Sequence, residues 1–258
     1  MTLQIHLAPS LDELGEAAAN AVLARLHDAM RPGRLPVLGI ATGSSPLPLY
    51  QALARRRDEL PQLRAFALDE YLGLPAGHPE SYAEVVRREV VEPLGLDGEC
   101  IAVPDGAAAD PEHAGAEYDA AIAAAGGVDV QILGIGSNGH LAFNEPGSAL
   151  DSRTRVVQLT ESTRQANARF FSSLQEVPTH ALTQGLGTIF AARSLVLLAI
   201  GASKAQAVAA ALQGPVTPEV PASILQLHPD VTVLLADGAG AELSPELLDP
   251  ELLKSGTV

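Results

Sequence analysis

Residues 35–60 read LPVLGIATGSSPLPLYQALARRRDEL, and this stretch decides the fold class. The apolar run at residues 35–40 predicts a short buried strand, and a turn rich in glycine and serine follows it. Residues 47–60 then have the length and the apolar spacing that are typical of a helix. A strand, a small-residue turn and a helix in this order are the repeating unit of α/β proteins with a parallel sheet.

The same alternation continues along the chain. Short apolar runs predict strands at residues 64–68, 101–103, 128–135, 156–159, 194–200 and 231–235, and longer runs predict helices at residues 10–30, 80–91, 111–125 and 202–212. Because these strands are apolar almost throughout, we expect both faces of the sheet to be covered. The sequence therefore predicts an α/β fold in which an open, mostly parallel, doubly wound (Rossmann-like) sheet has helices on both faces. We expect one domain spanning residues 1–258.

Composition narrows the range of functions. The formal net charge of −15 is unfavourable for binding nucleic acid, and 47% hydrophobic residues exclude a disordered chain. With Cys100 as the only cysteine and no metal-ligand spacing among the histidines, we expect neither a disulfide nor a bound metal. Residues 35–54 carry no formal charge but contain prolines, which argues against a membrane span. No lysine or arginine precedes Arg25, so we expect no signal peptide and a cytoplasmic location.

The first candidate site follows the strand at residues 35–40. In open parallel sheets, ligands bind beyond the carboxyl ends of the strands. Thr42, Gly43, Ser44 and Ser45 occupy that place here. Small residues let backbone N–H groups approach an anion, the hydroxyls add donors, and the following helix adds a partial positive charge. This pattern suits a phosphate group, and an ordinary turn with a serine cap is the alternative.

Two acidic residues follow the next predicted strand. Asp69 and Glu70 come directly after residues 64–68 and lie beside apolar neighbours. Burial raises the pKa of a carboxyl group, and a raised pKa suits a general base that acts near neutral pH. A helix-capping aspartate or a solvated acidic loop is the alternative interpretation.

A glycine-rich loop and two downstream cations complete the candidates. Asn138, His140 and Glu145 lie close together after the strand at residues 128–135. A histidine can transfer protons at neutral pH, and a nearby carboxylate can fix its tautomer. Arg169 and Lys204 are basic residues in an acidic chain, and a lysine near a helix start opposes the helix dipole unless an anion binds there. A structural histidine and a solvated lysine are the alternatives.

Four motifs together resemble the glucosamine-6-phosphate deaminase family. They are LDEYLGL at residues 68–74, HPESY at 78–82, GHLAFNEP at 139–146 and SRTR at 152–155. The resemblance covers about residues 38–229, which is most of the chain. The related 6-phosphogluconolactonases share the fold and a Gly-His in this loop, but they are not expected to carry the NEP ending.

The resemblance implies a reaction and a role for each candidate residue. Family members convert glucosamine 6-phosphate and water to fructose 6-phosphate and ammonia, without a metal or another cofactor. By similarity, Asp69 takes the C2 proton, His140 moves the proton that opens the sugar ring, and Glu145 assists His140. The phosphate would be held by Thr42, Gly43, Ser44, Ser45, Arg169 and Lys204. Residues 162–183 look like the mobile lid of the family.

Two positions depart from the family pattern. Some members carry an aspartate at the position of Asn138, whose amide can orient His140 but cannot relay a charge. Hexameric members that are activated by N-acetylglucosamine 6-phosphate carry a lysine at the position of Val157, so we expect no such activation. The oligomeric state stays open, with a homo-oligomer as one alternative. Galactosamine 6-phosphate as substrate, a lactonase-like hydrolase and a non-catalytic sugar-phosphate sensor are the competing functions.

Overall fold

The computed structural model describes residues 2–248, so residues 1 and 249–258 of the predicted domain lie outside the described range. The strands are β1 (Thr2–Leu7), β2 (Val37–Ile40), β3 (Arg64–Ala67), β4 (Asp69–Tyr71), β5 (Ile101–Ala102), β6 (Val130–Leu133), β7 (Arg155–Gln158), β8 (His180–Thr183), β9 (Ser194–Ile200) and β10 (Asp230–Ala236). The helices are α1 (Leu11–Asp28), α2 (Leu47–Arg55), α3 (Tyr82–Val86), α4 (Glu92–Leu94), α5 (Pro111–Ala124), α6 (Glu161–Asn167), α7 (Leu186–Phe190), α8 (Ala205–Gln213) and α9 (Pro245–Leu248). A π-helical turn at Arg87–Val91 joins α3 to α4, and short 3₁₀ turns lie at Ala168–Phe170, Leu174–Glu176 and Ala202–Lys204.

The larger sheet has seven strands in the order β1-β10-β9-β6-β2-β3-β5, and every neighbouring pair is parallel. The predicted open parallel sheet is therefore confirmed. All residues of β2 and β6 are buried, which requires cover on both faces, as their apolar composition predicts. Strand β1 was not predicted, because an edge strand with alternating exposure lacks a continuous apolar run.

The smaller sheet is antiparallel, with the order β4-β8-β7, and the sequence analysis did not predict it. Residues 69–71 were assigned to no strand, but they form β4. Residues 156–159 were expected in the parallel sheet, but β7 pairs with β8 instead. A three-residue strand has no readable periodicity, and its partner β8 lies more than a hundred positions away in the sequence. The last residues of the candidate lid, His180–Thr183, form the central strand of this sheet and are mostly buried.

One residue, Leu68, separates the two sheets. Its N–H donates to the carbonyl oxygen of Ile40 in the larger sheet (3.0 Å), and its own carbonyl accepts from the N–H of Gln184, which follows β8 (2.7 Å). The Gln184 side-chain amide also donates to the carbonyl of Ala67 (2.9 Å). The end of β3 and the start of β4 are therefore held on both sides by backbone hydrogen bonds.

Helix α1 shows how the sequence builds the layers around the sheet. Ser10 caps the helix by accepting the N–H of Glu13 (3.2 Å), the contact that the spacing of a capping box produces. The buried face carries Leu14, Ala18, Val22 and Leu26 at a spacing of four residues, and it packs on β6, β9 and β10. Within residues 2–248, every helix is too short or too polar to cross a membrane.

At the amino ends of the parallel strands, a buried carboxylate is fully paired. Asp129 is 3% exposed and precedes β6. It accepts the N–H of Val37 (2.8 Å) and lies 2.9 Å from each of two guanidinium groups, those of Arg34 and Arg193. Because each oxygen has a charged or backbone donor, the cost of burying this charge is offset locally.

Candidate active site

The predicted site residues gather at the carboxyl edge of the larger sheet. The loop at residues 42–45 follows β2, Asp69 follows β3, the loop at residues 134–146 follows β6, and Lys204 follows β9. Gln184 links two of these segments, because its carbonyl accepts the side-chain amide of Asn144 (2.8 Å) while its own side-chain amide donates to the end of β3. The carboxyl ends of parallel strands thus bring residues together that lie far apart in the sequence.

Asp69 is a buried carboxyl group at the start of β4. Its residue is 5% exposed, and burial raises its pKa to about 8, with the neighbouring Glu70 carboxylate adding to the rise. A pKa near the operating pH is the value at which a carboxylate is an effective general base. The environment therefore favours the general-base interpretation over a solvated acidic loop.

Glu70 is also buried, but its carboxylate has a complete set of partners. It accepts the backbone N–H groups of Tyr71 (2.7 Å), Tyr82 (2.9 Å) and Ala83 (2.8 Å). Two of these donors belong to the first turn of α3, where N–H groups lack helical acceptors. Burial raises the pKa of Glu70, and the three N–H donors act against that rise. Successive residues of a strand point to opposite faces, so Glu70 contacts α3 while Asp69 points away from it.

Aromatic side chains surround this acidic pair. Tyr82 stacks on Phe143 with 6.0 Å between ring centroids, and Tyr71 lies 4.8 Å from Tyr82 and 5.8 Å from Phe171. Tyr71 and Phe143 are buried members of a second, smaller hydrophobic cluster, and Tyr82 and Phe171 pack against it. Burial raises the pKa of Tyr71 to about 12, so its hydroxyl stays protonated at neutral pH. The sequence analysis quoted these tyrosines within motifs but assigned them no role.

The loop after β6 holds a histidine and a carboxylate side by side. The Nδ1 atom of His140 lies 3.6 Å from a carboxylate oxygen of Glu145, and Asn138 donates its side-chain amide to that same oxygen (2.7 Å). Asn138 also accepts the backbone N–H of His140 (3.2 Å). The amide of Asn138 therefore bridges the two residues, so it can orient them without carrying a charge.

Glu145 is held in its ionised form by the surrounding donors. Burial acts to raise its pKa, but interactions with His140, Thr163 and Asn138 outweigh burial and lower the pKa to about 2. Thr160 also donates its hydroxyl to this carboxylate (3.1 Å), and Thr163 donates to the same oxygen. Glu145 is therefore an ionised hydrogen-bond acceptor beside the imidazole of His140.

Gly136 makes room for the histidine. A Cβ atom at this position would lie 2.3 Å from Cε1 of the His140 ring, closer than any unstrained contact. Any residue other than glycine would therefore displace the ring from Glu145. Since Nδ1 faces Glu145, Nε2 is the ring nitrogen that can meet a substrate.

Two cations lie close together without carboxylate partners. Within residues 2–248, neither Arg169 nor Lys204 forms an ion pair with a side chain. Burial lowers the pKa of Lys204, and the nearby charge of Arg169 lowers it further. A nearby like charge disfavours the charged form of Lys204, and an anion bound beside both cations would relieve that repulsion.

The loop at residues 42–45 has the backbone geometry of an anion cradle. Gly43 has a φ angle of +94°, which favours glycine. Pro46 occupies the N-cap position of α2, and its side chain makes no capping hydrogen bond. The serine cap of the alternative interpretation is therefore not formed. The N–H of Leu47 donates to the carbonyl oxygen of Ser44 (3.4 Å) and Pro48 has no N–H, so an anion here would depend mainly on the N–H and hydroxyl groups of the loop itself. Among the described residues, no three His, Cys, Asp or Glu side chains are arranged to hold a metal ion.

The site and the fold together define a class of protein: an α/β protein equipped for proton transfer on a small phosphorylated molecule. Residues 9–234 match the family described as glucosamine-6-phosphate isomerases/6-phosphogluconolactonase. The chain belongs to this family, in agreement with the resemblance seen in its motifs.

Individual relatives refine this placement. A protein of Rhodococcus opacus named glucosamine-6-phosphate deaminase is 56% identical over 247 residues, covering 94% of this chain and 93% of the relative. One of Streptomyces avermitilis with the same name is 52% identical over 248 residues, covering 93% of both chains. A solved structure described as a monomeric glucosamine-6-phosphate deaminase has 38% identity and a TM-score of 0.87, covering 93% of this chain and 99% of its own. The 6-phosphogluconolactonase of Trypanosoma cruzi, at 22% identity and a TM-score of 0.76 over 94% of this chain and 97% of its own, shares the fold.

Proposed function

We propose that this protein is a glucosamine-6-phosphate deaminase, converting glucosamine 6-phosphate and water to fructose 6-phosphate and ammonia. The names of the relatives support this reaction, and so does one observation above the others. A buried carboxyl group with a raised pKa, Asp69, lies at the same sheet edge as a histidine–carboxylate pair, His140 and Glu145. The reaction needs two separate proton-transfer groups, and this edge supplies both.

Ring opening comes first, because the C2 proton becomes acidic only when a carbonyl group forms at C1. His140 takes the proton of the C1 hydroxyl and returns it to the ring oxygen, and Glu145 stabilises the imidazolium that exists in between. Asn138 keeps the two side chains in register through its amide. General acid–base assistance of this kind accelerates a step by about 10²–10⁴-fold.

Enolisation is the task of Asp69. Its carboxylate takes the C2 proton, and the electron pair of the C–H bond moves toward C1 to form an enol-type intermediate. Return of a proton to C1 leaves an imine at C2, which water hydrolyses to the ketone and ammonia. The aromatic cluster around Tyr71 and Tyr82 keeps bulk water from the carboxyl group, so the pKa stays high enough for the carboxylate to be a strong base.

The phosphate is placed by groups that take no part in the chemistry. Thr42, Gly43, Ser44 and Ser45 supply hydroxyl and backbone donors, and Arg169 and Lys204 supply charge. Fixing the phosphate orients C1 and C2 relative to the two proton-transfer groups. The reacting atoms are then already in position, which lowers the entropic cost of each proton transfer.

The candidate lid is shorter than the predicted residues 162–183, because residues 180–183 form a strand of the smaller sheet. The part of the candidate lid that lies outside this strand is residues 162–179. It carries Arg169, so its closure brings a cation to the phosphate, while Thr163 already donates its hydroxyl to Glu145. Phosphorylated sugars do not cross membranes unaided, so we expect the protein to act in the cytoplasm.

A coupled assay tests this function. The protein is incubated with glucosamine 6-phosphate, galactosamine 6-phosphate and 6-phosphogluconolactone, with and without a chelator, and ammonia and fructose 6-phosphate are measured together. We expect equal amounts of both products from glucosamine 6-phosphate, with turnover unchanged by the chelator. Faster turnover of the galactosamine epimer, or hydrolysis of the lactone alone, would replace this assignment by one of the competing functions.

A further inference from the structure

We propose that Glu70 is a positioning residue for the deamination: its buried carboxylate ties β4 to the first turn of α3 and places a negative charge on the residue next to Asp69. This inference rests on the proposed function, since it concerns how the same base is tuned. Two properties of Glu70 support this inference: its contacts fix the position of β4, and its carboxylate is a charge close to Asp69.

The position of β4 depends on the Glu70 carboxylate. Glu70 is 4% exposed, and its two oxygens accept three backbone N–H groups, those of Tyr71, Tyr82 and Ala83. One donor lies in β4 itself and the other two lie in α3, so a single side chain connects the strand to the helix. Tyr82 in turn packs on Phe143 of the histidine loop. Shortening or removing this carboxylate would loosen β4, and with it the Asp69 carboxyl group.

Four titratable side chains of the described residues influence the Asp69 carboxyl group or are influenced by it. Its own strand contributes Glu70 and Tyr71, α3 contributes Tyr82, and α5 contributes Tyr118. Thr183, the register partner on β8, does not ionise. Burial raises the pKa of each of the three tyrosines above its ordinary value, so their hydroxyls are neutral.

Glu70 is therefore the charged neighbour of Asp69 among the described residues. Its charge is stabilised by N–H donors rather than by a cation, so it is not cancelled locally. A fixed negative charge beside a carboxyl group favours the protonated form of that group, and so raises the pH at which the base becomes available.

The test is the pH profile of kcat/KM in two variants that affect the two roles to different degrees. The side-chain oxygen of Glu70→Gln can still accept two of the three N–H groups, whereas its amide nitrogen cannot accept the third. In Glu70→Gln the charge is lost, and the acidic limb of the profile should move to lower pH by about one unit. In Glu70→Asp the charge is kept, but the shorter side chain cannot reach both helix donors. We expect that variant to keep the wild-type limb while kcat falls about tenfold or more.

Glu117→Gln is the matched control, because it removes a carboxylate from an exposed face of α5. This control should change neither the acidic limb of the kcat/KM profile nor kcat. A carbon-13 NMR titration of the Asp69 carboxyl group, assigned with Asp69→Asn, reports the same shift without depending on turnover. If Glu70→Gln does not fold, the kcat of Glu70→Asp decides the positioning role.

If Glu70→Gln changes neither the acidic limb of the kcat/KM profile nor the NMR titration of the Asp69 carboxyl group, the charge role is overturned. A wild-type kcat in Glu70→Asp would overturn the positioning role. Failure of the proposed function has a different signature, because the wild-type protein would then release no ammonia from glucosamine 6-phosphate at any pH.

Discussion

The two edges of the larger sheet each bury an aspartate, and they treat its charge in opposite ways. At the amino edge, Asp129 is bound by two arginines and a backbone N–H. At the carboxyl edge, Asp69 is equally buried, but its charged neighbour is Glu70, another carboxylate, and its pKa rises to about 8. The two aspartates are thus buried to a similar degree, but Asp129 is paired with cations whereas Asp69 is repelled by a second carboxylate.

The same contrast holds for the cations. Arg34 and Arg193 both contact Asp129, whereas Arg169 and Lys204 lie near each other with no carboxylate partner in the described part of the chain. Paired charges stabilise the native state without leaving capacity for a ligand. Charges without a carboxylate partner are available to a substrate, so their placement indicates function.

The largest expected effect comes from replacing the unpaired carboxyl group. Asp69→Asn removes the base, and kcat for deamination should fall by about 10²–10⁴-fold, because the C2 proton has no positioned acceptor. The phosphate groups are untouched, so a non-reactive sugar-phosphate analogue should bind as before. Steady-state kinetics and calorimetric titration measure the two quantities. Rapid ammonia release by this variant would assign the base elsewhere.

A smaller effect is expected from one of the two free cations. Lys204→Met keeps most of the side-chain volume but removes the charge, and KM for the sugar phosphate should rise by about 10–100-fold, with kcat changing less. Inorganic phosphate should also become a weaker inhibitor by a similar factor. Arg57→Met, at an exposed position, is the matched control and should leave both values unchanged. An unaltered KM in Lys204→Met would remove this lysine from the phosphate site.

The paired aspartate should affect stability rather than catalysis. Asp129→Asn loses its charge-assisted hydrogen bonds to the two arginines, and the free energy of unfolding should fall by about 1–3 kcal/mol, while kcat stays near the wild-type value. Thermal and denaturant unfolding measure the change. Asp12→Asn, which breaks an exposed ion pair with Arg55, should cost less than about 1 kcal/mol. A large loss of kcat in Asp129→Asn would contradict the division between the edges.

The most subtle expectation concerns pH and stability. The pKa of Asp69 rises from 3.8 to about 8 on folding, so between these values the unfolded chain has lost a proton that the folded protein keeps. Stability from this group therefore decreases as pH rises from about 4 to 8. Asp69→Asn lacks the effect, so its stability relative to wild type should increase over that range by at least about 1 kcal/mol. A difference that does not vary with pH would place the pKa of Asp69 near its ordinary value.

The sequence predicted the parallel sheet well, because strands covered on both faces are continuously apolar. The strand at residues 194–200 has the predicted bounds, and the strand-end rule identified Asp69 and the histidine loop as candidates. The smaller sheet was missed, since β4 has three residues and its partner is remote in sequence.

Other parts of the site leave no local signal. The link from Gln184 to Asn144, the aromatic contacts of Tyr82 and the three donors to Glu70 all depend on contacts between distant segments. Periodicity and turn chemistry report on neighbours along the chain, so they could not reveal these contacts.

The single residue between the two sheets has a consequence for how this chain can vary. The N–H of Leu68 is hydrogen-bonded to Ile40 of the larger sheet, and its carbonyl is hydrogen-bonded to Gln184, directly after β8. This one-residue linker therefore cannot change its length without breaking one of these hydrogen bonds. Side chains alternate along a strand, and one inserted residue at this point would turn the carboxyl group of Asp69 toward α3 and that of Glu70 toward the substrate. Loops elsewhere can lengthen or shorten over generations, but we expect insertions and deletions to be absent at this junction.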